Sequence, residues 1–219
     1  MSVQPEEIDR QWPDAVPVRS GFTPTQGEPV AVPLMNIANV LTMLRIAIVP
    51  LFVLALFAGG GHDTGWRIAA AALFGIAAIT DRFDGQLARK YGLVTDFGKL
   101  ADPIADKALI GSALIGLSLL GDLAWWITLV ICGRELGVTL LRLAVVRRGV
   151  IPAGRGGKLK TLVQSLAIAA LLLPLSGGFA AAGMALMYLA VVLTVVTGLD
   201  YVGQAARVWF AGGPRARGR

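Results

Sequence analysis

Six apolar runs of membrane-crossing length, separated by short polar breaks, constrain this chain more than any other feature. They cover about 37–59, 66–90, 99–120, 123–147, 159–176 and 180–208. A helix needs roughly 20 mainly apolar residues to cross a hydrocarbon core about 30 Å thick. The breaks are rich in turn residues: Gly59-Gly60-Gly61-His62-Asp63, Gly121-Asp122 and Ser176-Gly177-Gly178. Hydrophobic residues make up 55% of the 219 positions, more than the core of a soluble domain of this size requires. The pattern predicts an all-α membrane protein with six transmembrane helices over 34–208. Residues 1–33 hold Pro5, Pro13, Pro17, Pro24, Pro29 and Pro33 and show no periodicity, so a flexible tail is expected there. The acidic, proline-bearing start does not resemble a cleavable signal peptide. Residues 209–219 read as a basic C-terminal tail.

Charge sets the orientation. The net charge is +6, and the basic residues sit beside apolar runs. That placement points to lipid headgroups and phosphorylated substrates rather than nucleic acid. Arg89, Lys90, Lys99, Arg147, Arg148, Arg155, Lys158, Lys160 and Arg207 fall at one end of the runs, whereas the other end holds essentially only Arg67. Lysine and arginine favour the cytoplasmic side, so both termini are expected there. Cys132 is the single cysteine, so no disulfide framework exists.

Against this apolar background, residues 81–106 carry five carboxylates. Asp81 and Asp84 are i, i+3, and Asp102 and Asp106 are i, i+4. On helices each pair shares a face, and two helices joined by a short loop can aim four carboxylates at one point. Such groups are costly near hydrocarbon and repel one another unless a cation lies between them. Clustered oxygen ligands suit Mg²⁺ or Mn²⁺, and a spare carboxylate could act as a general base. The plainer alternative is that the aspartates cap helix ends or pair with Arg82, Arg89, Lys99 and Lys107.

Asp81-x-x-Asp84-Gly85-x-x-Ala88-Arg89, eight residues, then Gly98-x-x-x-Asp102-x-x-x-Asp106 resembles the complete signature of the CDP-alcohol phosphotransferases. The opening Asn36-x-x-Asn39-x-x-Thr42-x-x-Arg45 is similar to that of the same enzymes. The segments 101–107, 133–136 and 157–161 resemble their phosphatidylglycerophosphate synthase branch. The resemblance implies a six-helix bundle, usually a homodimer, with a polar cavity open to the cytoplasm of a bacterial-type cell. It implies that an alcohol attacks the diacylglycerol-bearing phosphorus of CDP-diacylglycerol and that CMP leaves. It also implies metal-ligand roles for Asp81, Asp84 and Asp102, with Asp106 a ligand or the base. Asp81, Gly85 and Ala88 would meet the nucleotide, the small residues letting it approach the backbone; tight helix packing is the other use of Gly85. Asn39 and Thr42 would bond the nucleotide or, equally, make an N-cap or interhelical bond. Arg89 would contact donor phosphate or pair with an aspartate.

For glycerol 3-phosphate as the acceptor, the chain offers Arg134, Arg142, Lys158 and Lys160. Arg134 and Arg142 share a helix face and need an acidic partner or a polar cavity. Glu135 is adjacent, but a helix turns it about 100° away. Lys158 and Lys160 could equally anchor the chain at the inner surface. Inositol phosphate, or phosphatidylglycerol giving cardiolipin, are alternative acceptors. A divalent-metal transporter is the reading from another class; the fixed Gly85, Ala88 and Arg89 have no role in it.

Overall fold

Turn chemistry at the described breaks fixes where α1, α3 and α5 stop. The computed structural model describes residues 37–91, 96–145 and 155–210; the two tail segments 1–33 and 211–219 lie outside the described residues. The helices are α1 (Ile37–Phe57), α2 (Thr64–Tyr91), α3 (Asp96–Leu119), α4 (Trp125–Val145), α5 (Arg155–Leu172) and α6 (Gly178–Phe210), with no strand among the described residues. After α1 a short 3-10 turn spans Ala58–Gly61, where Gly59, Gly60 and Gly61 take φ of 60°, 75° and 80°. L side chains rarely adopt that conformation, so glycine ends the helix there. Asp63 then caps α2, its Oδ1 accepting from the Trp66 amide at 3.0 Å. Pro174 follows α5 by two residues and cannot continue it. That is why α5 ends at Leu172, short of the expected 176.

Packing divides the helices into two neighbourhoods. α1 lies against α2 and α3, while α6 lies against α5 and α4. Phe52, Leu56, Phe74, Leu114, Ile131, Ile168 and Met187 are among the fully buried core residues. Phe52 and Phe74 hold α1 to α2, with ring centroids 6.0 Å apart and planes tilted by 51°. α5 and α6 meet through small residues: a methyl on Gly183 would stand 3.2 Å from the Ala170 Cβ. Inside the bundle, Ser118 and Thr128 share a buried hydrogen bond of 2.7 Å between α3 and α4.

The outside is as apolar as the inside. Leu54, Leu129, Leu140, Leu199 and Phe179 are each more than 60% exposed. A water-facing surface does not carry so much aliphatic area, whereas hydrocarbon welcomes it. Two stretches, Asn39–Gly61 and Gly178–Arg207, are long and apolar enough to cross a bilayer. α2 to α5 are diluted by charged residues, and those residues are the ones the sequence singles out for chemistry.

Candidate active site

α1 presents three polar side chains at three-residue spacing: Asn39, Thr42 and Arg45, all under 5% exposed. That spacing drifts only slowly around a helix, so the three share one face. Arg45 Nη1 lies 2.6 Å from Asp81 Oδ1 on α2. The Thr42 hydroxyl donates to Asp102 Oδ1 on α3. One helix therefore ties down a carboxylate from each of the other two. Asp81 lies within electrostatic reach of Asp102. Asp106, half-buried one turn beyond Asp102, lies within reach of Asp81, Arg45 and Lys107. Of the interhelical alternatives weighed for Thr42, the bond to Asp102 is the one formed.

Arg45 is the residue that sequence reasoning noted in the opening motif without giving it a role. Its side chain is wholly buried. The signal was available: an arginine inside an otherwise apolar run must face a partner within the bundle. The side chains of Arg82, Arg89 and Lys99, the sequence neighbours expected to pair with the aspartates, lie outside the described residues; Lys107 lies within electrostatic reach of Asp106.

Among the described residues, no three His, Cys, Asp or Glu side chains are placed so as to hold a metal ion. The fourth expected ligand, Asp84, rides on α2 together with Gly85, Ala88 and Arg89, and the side chains of these four lie outside the described residues. The donor chemistry nonetheless fits a hard divalent cation. Asp81, Asp102 and Asp106 offer only carboxylate oxygen, and the Arg45 guanidinium offsets part of the charge on Asp81 and Asp106.

A second polar cluster adjoins the first. Lys160, with a side chain 4% exposed, donates from Nζ to Glu135 Oε1. Arg134 reaches the same oxygen from Nη1 at 3.2 Å, and its Nη2 donates to Thr197 Oγ1 at 3.0 Å. Glu135 and Arg134 thus do meet, contrary to the expectation from their 100° offset. The offset separates Cβ atoms, while both side chains are long enough to fold back together. Glu135 in turn lies within electrostatic reach of Asp106 and Lys107, which joins the two clusters. Arg134 Nε, Gln164 Oε1 and Thr194 Oγ1 are buried and have no hydrogen-bond partner among the described residues. Arg134 crosses α6 at Gly198, where a Cβ would stand 3.1 Å from its Cγ. Lys158 is exposed, and two residues of helix turn it about 200° from Lys160. The Arg142 side chain lies outside the described residues.

A helical bundle whose apolar exterior surrounds carboxylates, guanidinium and ammonium groups is the pattern of a membrane enzyme with a polar interior. The chain belongs to the CDP-alcohol phosphatidyltransferase family, whose profile matches residues 35–196. Among its relatives, a probable phosphatidylglycerophosphate synthase of Mycobacterium tuberculosis (strain ATCC 25618 / H37Rv) is 63% identical over 172 residues, covering 78% of this chain and 82% of that protein. The CDP-diacylglycerol–glycerol-3-phosphate 3-phosphatidyltransferase of Bacillus subtilis (strain 168) is 42% identical, over 77% of this chain and 94% of its own. The Escherichia coli (strain K12) protein of the same description is 36% identical, over 78% and 94%.

Proposed function

We propose that this protein transfers the phosphatidyl group of CDP-diacylglycerol to glycerol 3-phosphate and releases CMP. The observation that carries this reading is that α1 holds Asp81 through Arg45 and Asp102 through Thr42, with Asp106 in electrostatic reach of Asp81 and Arg45, next to the Arg134–Glu135–Lys160 cluster. The names and close identity of the relatives support the choice of acceptor.

The carboxylates Asp81, Asp84, Asp102 and Asp106 would hold Mg²⁺ or Mn²⁺. Such an ion, when bound, offsets charge on the donor pyrophosphate and on the departing CMP. Arg45 fixes Asp81, and Thr42 fixes Asp102, so neither carboxylate has to be ordered when substrate arrives. Asn39, Gly85, Ala88 and Arg89 would complete the nucleotide's surroundings. Arg134 and Lys160 would bind the acceptor phosphate, with Arg142 and the exposed Lys158 as further basic groups for it. Asp106 then accepts the proton of the attacking hydroxyl. That oxygen forms its bond to the diacylglycerol-bearing phosphorus as the bond from that phosphorus to CMP breaks.

The six helices would all cross the membrane, with the site and both termini on the cytoplasmic side and the protein a homodimer. The lysine and arginine asymmetry supports that orientation. The test is CMP release by purified protein from CDP-diacylglycerol with glycerol 3-phosphate, inositol phosphate or phosphatidylglycerol as acceptor. Release should require glycerol 3-phosphate, stop with chelator and return with Mg²⁺ or Mn²⁺. No release with any acceptor rejects the activity.

A further inference from the structure

The turns joining α1 to α2, α3 to α4 and α5 to α6 meet at the end of the bundle away from the carboxylates. Arg67 and Asp81 lie on the same helix, roughly 21 Å apart along its axis. At that far end a cavity of about 330 Å³ has a polar wall of His62, Arg67 and Asp122 and an apolar wall that includes Leu173, Leu175 and Met184. Its size falls within the range of about 300–1,000 Å³ usual for small-molecule pockets.

Arg67 is only 6% exposed. Its Nη2 donates to Asp122 Oδ2, while Nη1 is sealed from solvent with no acceptor among the described residues. Asp122 is engaged twice, since its Oδ1 also lies 3.3 Å from His62 Nε2. One guanidinium edge is therefore held in place by Asp122, and another donor has no acceptor; because Arg67 lines the cavity, a small turn of the guanidinium would bring that donor to a ligand oxygen there. Phosphate is the group that guanidinium geometry matches best. An ammonium headgroup would need a carboxylate, and the one present already receives two donors. Trp66 and Trp125 are about half exposed at the same end, the level at which tryptophan sits among headgroups.

We propose that this cavity binds the headgroup of an anionic phospholipid in the outer leaflet. Its phosphate lies on Arg67, its headgroup hydroxyls are within reach of His62, and its glycerol esters rest on Leu173, Leu175 and Met184. This rests on the helices crossing a membrane with the carboxylates inside, and not on the catalytic reading.

The test is native mass spectrometry of the purified full chain titrated with phosphatidylglycerol or phosphatidylcholine, with CMP release measured on the same samples. Wild type should retain one phosphatidylglycerol at least about tenfold more tightly than phosphatidylcholine. Arg67→Gln should lose that preference and still release CMP. Ala180→Trp, which fills the cavity from α6, should do the same and decides the matter if Arg67→Gln fails to fold. A preference that survives Ala180→Trp overturns the proposal. Equal retention of both lipids by wild type, or displacement of the lipid by millimolar inorganic phosphate, overturns it as well. Loss of CMP release in wild type alone would fault the catalytic reading and leave this one standing.

Discussion

Replacing Glu135 by glutamine separates a counter-ion from a ligand-binding group. Lys160 and Arg134, with side chains 4% and 18% exposed, both contact the Glu135 carboxylate. Breaking a buried pair by removing one partner costs about 3–5 kcal/mol. Glu135 is 27% exposed, and glutamine keeps an acceptor oxygen, so about 2 kcal/mol is expected here. For a chain of this length that is a fall in Tm of about 4–8 °C. If Arg134 and Lys160 bind the acceptor phosphate as proposed, the same change leaves these two cations without a counter-charge. One unit charge at about 6 Å contributes roughly 3 kcal/mol at an effective dielectric constant of 20. Relaxation and water penetration reduce this to about 1.4 kcal/mol, which is about tenfold in affinity. Glu135→Gln should therefore lower KM for glycerol 3-phosphate about tenfold while lowering Tm. Lys160→Met should raise that KM. The assay is CMP release at saturating CDP-diacylglycerol with varied acceptor, alongside thermal unfolding of the same preparation. A Glu135→Gln protein with unchanged KM and unchanged Tm would refute the counter-ion role.

Asp106→Asn should cut turnover by about 10²–10⁴ while equilibrium binding of labelled CDP-diacylglycerol stays within about threefold; an active variant would remove Asp106 from the base role. Arg45→Met strands Asp81, and because that side chain is 41% exposed the loss is discounted to about 2 kcal/mol, read as a lower Tm together with reduced CMP release. Phe52→Ala empties a site of zero exposure against Phe74 and should cost about 3–5 kcal/mol in thermal unfolding without changing KM.

Helix positions were legible because glycine and proline punctuate the chain. The run expected over 37–59 is α1 at Ile37–Phe57, and that over 123–147 is α4 at Trp125–Val145. Helical spacing made it legible that Asp102 and Asp106 share a face, and Asp81 lies within electrostatic reach of both. Three other features were not legible. The partner of Asp81 is Arg45, thirty-six residues away on another helix, and local sequence does not say which helix faces which. The Arg134–Glu135 contact depends on how long side chains bend, which a wheel of Cβ positions ignores. Lys160 and Lys158 look alike in sequence, and only the rotation of α5 against its neighbours buries one and exposes the other.

The burial of Arg45 also bears on how the protein is made. Emerging alone from the insertion machinery, α1 would carry a lone guanidinium into lipid, at a cost of about 2.5–3.5 kcal/mol. The rest of α1 is apolar enough to outweigh that, but the charge finds its carboxylate only when α2 arrives. The Arg45–Asp81 pair thus ties α1 to α2, so the opening hairpin is the smallest unit that neutralises this charge. A nascent chain cut off after α1 would leave a segment seeking another protein's acid, which is the kind of orphan that membrane quality control removes.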